Sequence, residues 1–228
     1  MMSSIDMPRQ LSLDLDPRPA LGRDDFLVTP CNADAVAWLD RFPDWPAPAL
    51  IISGAPGSGK THLARVFMAQ TEAIQLTAEM LKRDATPHFP DFAAIVIEDA
   101  DTLAGDAIAE EAIFHLYNQA HERGAGILFT ATSPAARWPL HLADLISRLR
   151  AAPSAEIGTP DDALLTAVLA KLFSDRQIKI DADVLGYVVP RMERSFAAAL
   201  SFVANADRHA LERKRRVTVP LARQVLNS

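Results

Sequence analysis

Residues Gly54–Thr61 read GAPGSGKT, and each residue type in the run suits the capture of a phosphate. The run satisfies G-x-x-x-x-G-K-[ST]. Glycines at 54 and 59 let the backbone curl with its N–H groups inward, and the helix that follows aims its positive end at the same anion. Lys60 has the reach and charge for β- and γ-phosphates, and Thr61 offers a hydroxyl to Mg²⁺. The expected contacts to a bound ADP or ATP are therefore Ala55, Pro56, Gly57, Ser58, Gly59, Lys60, Thr61 and His62.

A second stretch, AIVIEDAD, ends an apolar run in acids. Such a strand delivers carboxylates to its C-terminal edge, beside a phosphate loop. Glu98 then takes the metal-side position with Thr61 and Asp99, and Asp99 polarises an attacking water, the reverse of the commoner Asp-then-Glu order. Glu98 is one methylene longer than Asp, which alters its reach to hydrated Mg²⁺ and predicts slow intrinsic hydrolysis. Further along, FTATSP places Thr130 and Thr132 at a strand end, where a hydroxyl can sense a γ-phosphate. DLISRLR places Arg148 near the end of a helix, and MERSFAAAL places Arg194 at the start of another. Either arginine alone reads as a surface cation; their order after a phosphate loop makes them candidates for phosphate ligands.

These residues need a scaffold that brings strand ends together. The runs ALIISG, AIQL, FAAIVIEDA and GILFTA are short and apolar on both sides, and helical stretches separate them. That pattern predicts a parallel sheet covered on both faces. IAEEAIFHLYNQAHERG reads as a long amphipathic helix, with Gly124 placed for a left-handed C-cap. After Gly158 the character becomes helical: TPDDALLTAVLAKLFSDR opens with Thr159 as expected N-cap, Pro160 at the first helical position and acids in the first turn. Leu164, Leu165, Val168, Leu169 and Leu172 follow at helical spacing.

At 228 residues, with 49% hydrophobic and 23% charged residues, the chain can bury a substantial core. No apolar run approaches the ~20 residues of a membrane span, and the first ten residues lack the pattern of a signal peptide. The single cysteine, Cys31, excludes an internal disulfide and a cysteine zinc cluster, and suits a cytoplasmic setting. A net charge of −6 argues against broad adhesion to nucleic acid, although RHALERKRR at 208–216 is locally basic.

Taken in order, the motifs resemble the AAA+ ATPases, and within them the DnaA replication-initiator branch. GRDDFLVTPCNADAVAWLDRFPDWPAPALIISGAPGSGKTHLA looks like that branch's entry into the phosphate loop, and EEAIFHLYNQAHERGAGILFTATSPAARWP like its box around sensor 1. DnaA proteins usually carry Asp at the place of Thr132. LISRL resembles the arginine-finger box, and RSFAAALSFVANADRHALERKRRVTVPLARQVL the sensor-2 helix and lid. The resemblance implies an α/β fold, a P-loop AAA+ domain with a parallel sheet between helices (21–157), then a small all-helical lid (158–228). It implies Arg148 as arginine finger, Arg194 as sensor 2 beside the nucleotide, and catalytic parts for Arg148, Asp99 and Thr132.

Ahead of this core lies an expected arm, residues 1–20, carrying QLSLDL. The stretch resembles the hexapeptide that binds the DNA polymerase sliding clamp (its β subunit): Gln10 supplies the amide, Leu11 a flanking contact, Leu13 and Leu15 the anchors. Each buried leucine contributes about 1.5–3 kcal/mol before ordering costs. Asp14 departs from the motif's apolar or proline residue. A DnaA-like core with a clamp motif and without a DNA-reading helix-turn-helix resembles regulators that make ATP-bound DnaA hydrolyse its nucleotide. The implied partners are the clamp and DnaA, without membrane or strong direct DNA binding; self-association as a homodimer stays open. One alternative is a DNA-binding AAA+ initiator or helicase loader. Another is a P-loop kinase or NTPase acting on a small molecule.

Overall fold

The computed structural model describes residues 28–87, 91, 93–213 and 216–227. Gln10, Leu11, Leu13 and Leu15, expected from the sequence to contact the clamp, lie outside the described residues.

Five strands, β1 (Ala49–Gly54), β2 (Ile74–Gln75), β3 (Ala94–Ile97), β4 (Gly126–Ala131) and β5 (Ser154–Ile157), form one parallel sheet in the order β2-β3-β4-β1-β5. A strand covered on both faces must be apolar at successive positions, and every residue of β1, β3 and β4 is buried. Alternate side chains then serve different layers. Leu50, Ile52, Val96 and Leu128 pack with Ala35 and Leu39 of α1 (Ala33–Asp40) and Leu63, Ala64 and Phe67 of α2 (Lys60–Thr71). Ile51, Ile95, Ile97, Ile127 and Phe129 pack on the other face. Their partners are Leu81 of α3 (Ala78–Arg83), Ile113 and Leu116 of α4 (Ala107–Arg123), and Leu145 and Leu149 of α5 (Ala143–Ala151).

The C-terminal helices have a core of their own. Leu165, Leu169 and Phe173 of α6 (Asp162–Asp175) meet Val184 and Val188 of α7 (Ala182–Val188). Phe202, Val203 and Ala206 of α8 (Phe196–Arg213) and Leu221 and Val225 of α9 (Val219–Leu226) complete it.

The four expected strands and the long helix are present, and Gly124 caps α4 at φ 65°. Two local readings change. Asp161, not Thr159, caps α6: its carboxylate accepts from Leu164 N–H at 2.7 Å, which moves the first helical residue to Asp162. The fifth strand, β5, carries no apolar run because it lies at the sheet edge, with Ala155 and Ile157 buried and Ser154 and Glu156 exposed.

Candidate nucleotide site

The loop between β1 and α2 places Ala55, Pro56, Gly57, Ser58 and Gly59 above the sheet's C-terminal edge, with Lys60, Thr61 and His62 in the first turn of α2. Gly57 (φ +74°) and Gly59 (φ +100°) occupy the left-handed region that side-chain-bearing residues disfavour. Lys60 is buried and its Nζ donates to the Gly54 and Ala55 carbonyls at 2.7 and 3.0 Å, folding the cation under its own loop. Burial pushes its pKa below the usual lysine value, opposed by the nearby charges of Asp99, Asp101 and Glu98.

The C-terminal helices close directly on this loop. Phe196 N–H, at the start of α8, donates to Gly57 O at 2.9 Å. Cβ atoms added at Gly57 would stand 3.0 and 3.1 Å from the Ala197 and Ser195 Cβ atoms, and one at Gly59 3.3 Å from the Phe196 ring. Loop and lid fit because these positions carry no side chain. Arg194 stands two residues before α8, and its Nη2 pairs with Asp162 Oδ1 at 2.7 Å; both side chains are about half exposed.

The acids sit at the end of β3. Glu98 is half-buried; Asp99 is exposed and left-handed at φ 50°, turning the chain into the 3₁₀ turn Ala100–Leu103. Its N–H donates to Thr130 Oγ1 at 3.2 Å, and Thr130 is buried. Thr132 gives both its N–H, at 3.0 Å, and its hydroxyl to Asp101 Oδ2. Among the described residues no three His, Cys, Asp or Glu side chains converge as a metal cage. Mg²⁺ needs none: it keeps several waters and takes one or two carboxylates alongside nucleotide phosphates. The oxygen donors at the loop fit such an ion, and the enclosed Asp101 Oδ1 has no hydrogen-bond partner among the described residues. Thr61, Glu98 and Asp99 are the side chains that would hold it.

Arg148 is not in this cluster. Its Nη1 donates to Asn118 Oδ1, and its guanidinium lies over the Phe114 and Tyr117 rings, 4.4 and 5.3 Å from their centroids. All three partners are on α4. Glu110, on the same helix and 2% exposed, governs where α5 begins. Its carboxylate accepts from Gly105 N–H at 2.8 Å, His141 N–H at 2.9 Å and Leu142 N–H at 2.8 Å. Burial alone would raise its pKa; these N–H groups and the neighbouring His141 outweigh that and hold it below the ordinary value.

Sequence reasoning missed Asp101, Glu110, Phe114 and Asn118. Asp101 had a signal, since it closes the AIVIEDAD run. Glu110 had none, because an acid in the first turn of a helix reads as a dipole partner.

A Gly-rich loop opening α2, acids ending β3 and a helical lid seated on the loop, all on a β2-β3-β4-β1-β5 sheet, define a P-loop fold of the AAA+ kind. Residues 162–226 match the family model described as Hda, lid domain. The chain is 27% identical over 220 residues to the chromosomal replication initiator protein DnaA of Synechococcus sp. strain JA-2-3B'a(2-13), covering 84% of this chain and 47% of that one. It thus spans about half the length of the DnaA relatives it matches. Domain III of the Thermotoga maritima replication initiation protein DnaA superposes with a TM-score of 0.81 at 18% identity, covering 92% of this chain and 96% of that domain. AMPPCP-bound DnaA from Aquifex aeolicus superposes at 0.71 with 16% identity, covering 87% and 69%. The chain thus has an AAA+ fold like that of DnaA domain III, is similar in sequence to DnaA proteins, and carries C-terminal helices that match the Hda lid.

Proposed function

We propose that this chain is a nucleotide-binding regulator of replication initiation that stimulates hydrolysis of the ATP held by DnaA. The match of residues 162–226 to the Hda lid, following a DnaA-like α/β core, carries the reading. ADP or ATP lies in the Gly54–Thr61 loop, where filling the loop draws Lys60 from the Gly54 and Ala55 carbonyls toward phosphate. Mg²⁺, when bound, neutralises phosphate charge. Arg194 is on the lid side of the loop, two residues from α8, and leaves Asp162 to meet the nucleotide.

Arg148 acts in trans. Among the described residues its hydrogen-bond and ring partners belong to α4 rather than to this chain's own phosphate loop, which suits a guanidinium that serves the nucleotide of another protein. An arginine meeting charge that develops on the transferring phosphoryl group accelerates the reaction by about 10³–10⁵. The clamp holds the regulator through Gln10, Leu11, Leu13 and Leu15, an extended segment laying alternate side chains into a groove.

The test is a DnaA–ATP hydrolysis assay with and without clamp loaded on DNA. Stimulation that requires loaded clamp is the expected result. Arg148→Ala is expected to retain nucleotide and clamp binding and lose stimulation; normal stimulation by that variant would sink the trans mechanism. Replacing Leu13 and Leu15 with Ala is expected to abolish clamp binding at unchanged nucleotide affinity. Strong DNA binding with a steep salt dependence would favour the initiator reading instead.

A further inference from the structure

Charge is unevenly divided along the chain. Residues 1–157 hold 12 Lys or Arg against 21 Asp or Glu, whereas residues 158–228 hold 11 against 8. The net charge of −6 therefore conceals a basic C-terminal part, and an asymmetry of that kind points to a polyanionic partner. Within this part Arg176 and Arg194 are paired, with Asp207 at 3.8 Å and with Asp162 at 2.7 Å. Arg191 and Arg223 are exposed, and among the described residues no carboxylate pairs with either.

These two arginines share one aromatic ring. Tyr187 lies in α7, Arg191 closes the 3₁₀ turn Val189–Arg191 that follows, and Arg223 lies in α9. The Arg191 guanidinium carbon stands 4.2 Å from the Tyr187 ring centroid, and that of Arg223 5.6 Å. Arg191 Nη1 donates to the Tyr187 carbonyl at 2.9 Å, and Arg223 Nε donates to the Tyr187 hydroxyl at 3.1 Å. Ring and hydrogen bonds hold both planar forks, so little freedom is lost when they meet a ligand. Nη2 of Arg191 and both Nη groups of Arg223 remain as donors. Two cations against one ring also repel each other, and an anion beside them relieves that cost.

The surroundings select among anions. Among the described residues no large apolar side chain is exposed on α7 or α9, so the patch lacks the apolar anchor on which affinity for a protein partner depends. A sugar–phosphate backbone asks for charge alone. The Tyr187 ring already carries two guanidiniums, so it is not the open platform on which single-strand binders stack unpaired bases. We propose that Tyr187, Arg191 and Arg223 form a secondary contact for duplex DNA, in which the two arginines take neighbouring phosphates of one strand. Two phosphates make a weak contact that supplements binding made elsewhere. Beside a clamp on DNA, a setting that rests on the function proposed above, the tether supplies a high local concentration and the contact turns the lid toward the duplex.

The experiment follows the fluorescence anisotropy of a short labelled duplex as the full chain is added, at salt from about 50 to 200 mM. Neither clamp nor DnaA is present, so the result is independent of the regulatory reading. The wild type is expected to bind weakly, with affinity falling as salt rises. Arg191→Ala and Arg223→Ala should each flatten the slope of log K against log salt by about 0.9, and the double variant by about twice that. Arg191→Lys with Arg223→Lys keeps both charges and should keep most of the slope. An unchanged slope in the double alanine variant overturns the proposal, as does a lysine pair that loses as much as the alanine pair. A wild type that binds no duplex at the lowest salt also overturns it. So does stronger competition by oligo(dT), which marks a single-strand site, or by poly-glutamate, which marks a surface for acidic protein.

Discussion

Glu110→Gln isolates the carboxylate on which the start of α5 depends. The wild-type side chain receives three backbone N–H groups at 2.8–2.9 Å, one from Gly105 and two from His141 and Leu142. Hydrogen bonds to an ionised acceptor contribute about 1.5–3 kcal/mol each. Glutamine keeps one carbonyl oxygen, so it serves either Gly105 or the His141–Leu142 pair, and its NH₂ confronts the remaining donors. One or two bonds are lost, and partial access of the Gly105 and His141 turns to water moderates the loss. We predict about 2–4 kcal/mol of destabilisation, or roughly 5–15 °C in melting temperature for a chain of this size. The pH dependence gives the sharper reading. Glu110's folded pKa lies below its ordinary value of 4.5, so its contribution is fully present above that value and is lost as pH falls through the folded pKa. The gap between wild type and Glu110→Gln should therefore be widest near neutrality and narrow below about pH 4.5. Circular-dichroism melts from pH 3 to 7 test both statements. A variant within about 0.5 kcal/mol of wild type, with a parallel acid limb, would refute the claim that this carboxylate anchors the corner.

Other perturbations separate loop, lid and arginine effects. Gly57→Ala puts a Cβ 3.0 Å from that of Ala197 at φ +74°; we predict a cost of about 1–2 kcal/mol and weaker nucleotide binding, read by calorimetric titration. Unchanged affinity would mean that the lid yields freely. Asp162→Ala breaks an ion pair whose side chains are 55% and 54% exposed, so stability should change by less than about 1 kcal/mol. The freed Arg194 should raise ADP affinity a few-fold, and a fall in affinity would show that Asp162 holds Arg194 in its working position. Asn118→Ala removes the hydrogen-bond acceptor of Arg148 and should speed modification of that arginine by phenylglyoxal, scored by mass spectrometry; an unchanged rate would mean that the aromatic rings alone hold the guanidinium.

Much of the fold was legible because its physics is local. β1, β3 and β4 are apolar at successive positions since both faces are covered, and that leaves a plain mark in the chain. The phosphate loop was legible for the same reason: glycine, lysine and threonine at fixed spacing have few other uses. β5 was not, because an edge strand with two exposed positions looks like a loop. The site was less legible than its scaffold. Residue types placed Thr132 and Arg148 as free polar ends, but their hydrogen-bond partners lie 31 and 30 residues away, at Asp101 and Asn118. Spacing within a motif says nothing of a partner on another element. Glu110 makes the same point, reaching across 31 and 32 residues to His141 and Leu142.

The contact between Gly57 and Phe196 bears on how the molecule melts. The sheet layers and the C-terminal helices are separate hydrophobic clusters, and clusters that share no core can unfold as separate cooperative units. The hydrogen bond from Phe196 N–H to Gly57 O joins them at the residue whose surroundings a phosphate would alter. A ligand there stabilises whichever unit holds it by mass action, and through this seam it reaches the other. Heating the chain with increasing nucleotide should then draw two calorimetric transitions toward one, making the width of the melt a reporter of loop occupancy.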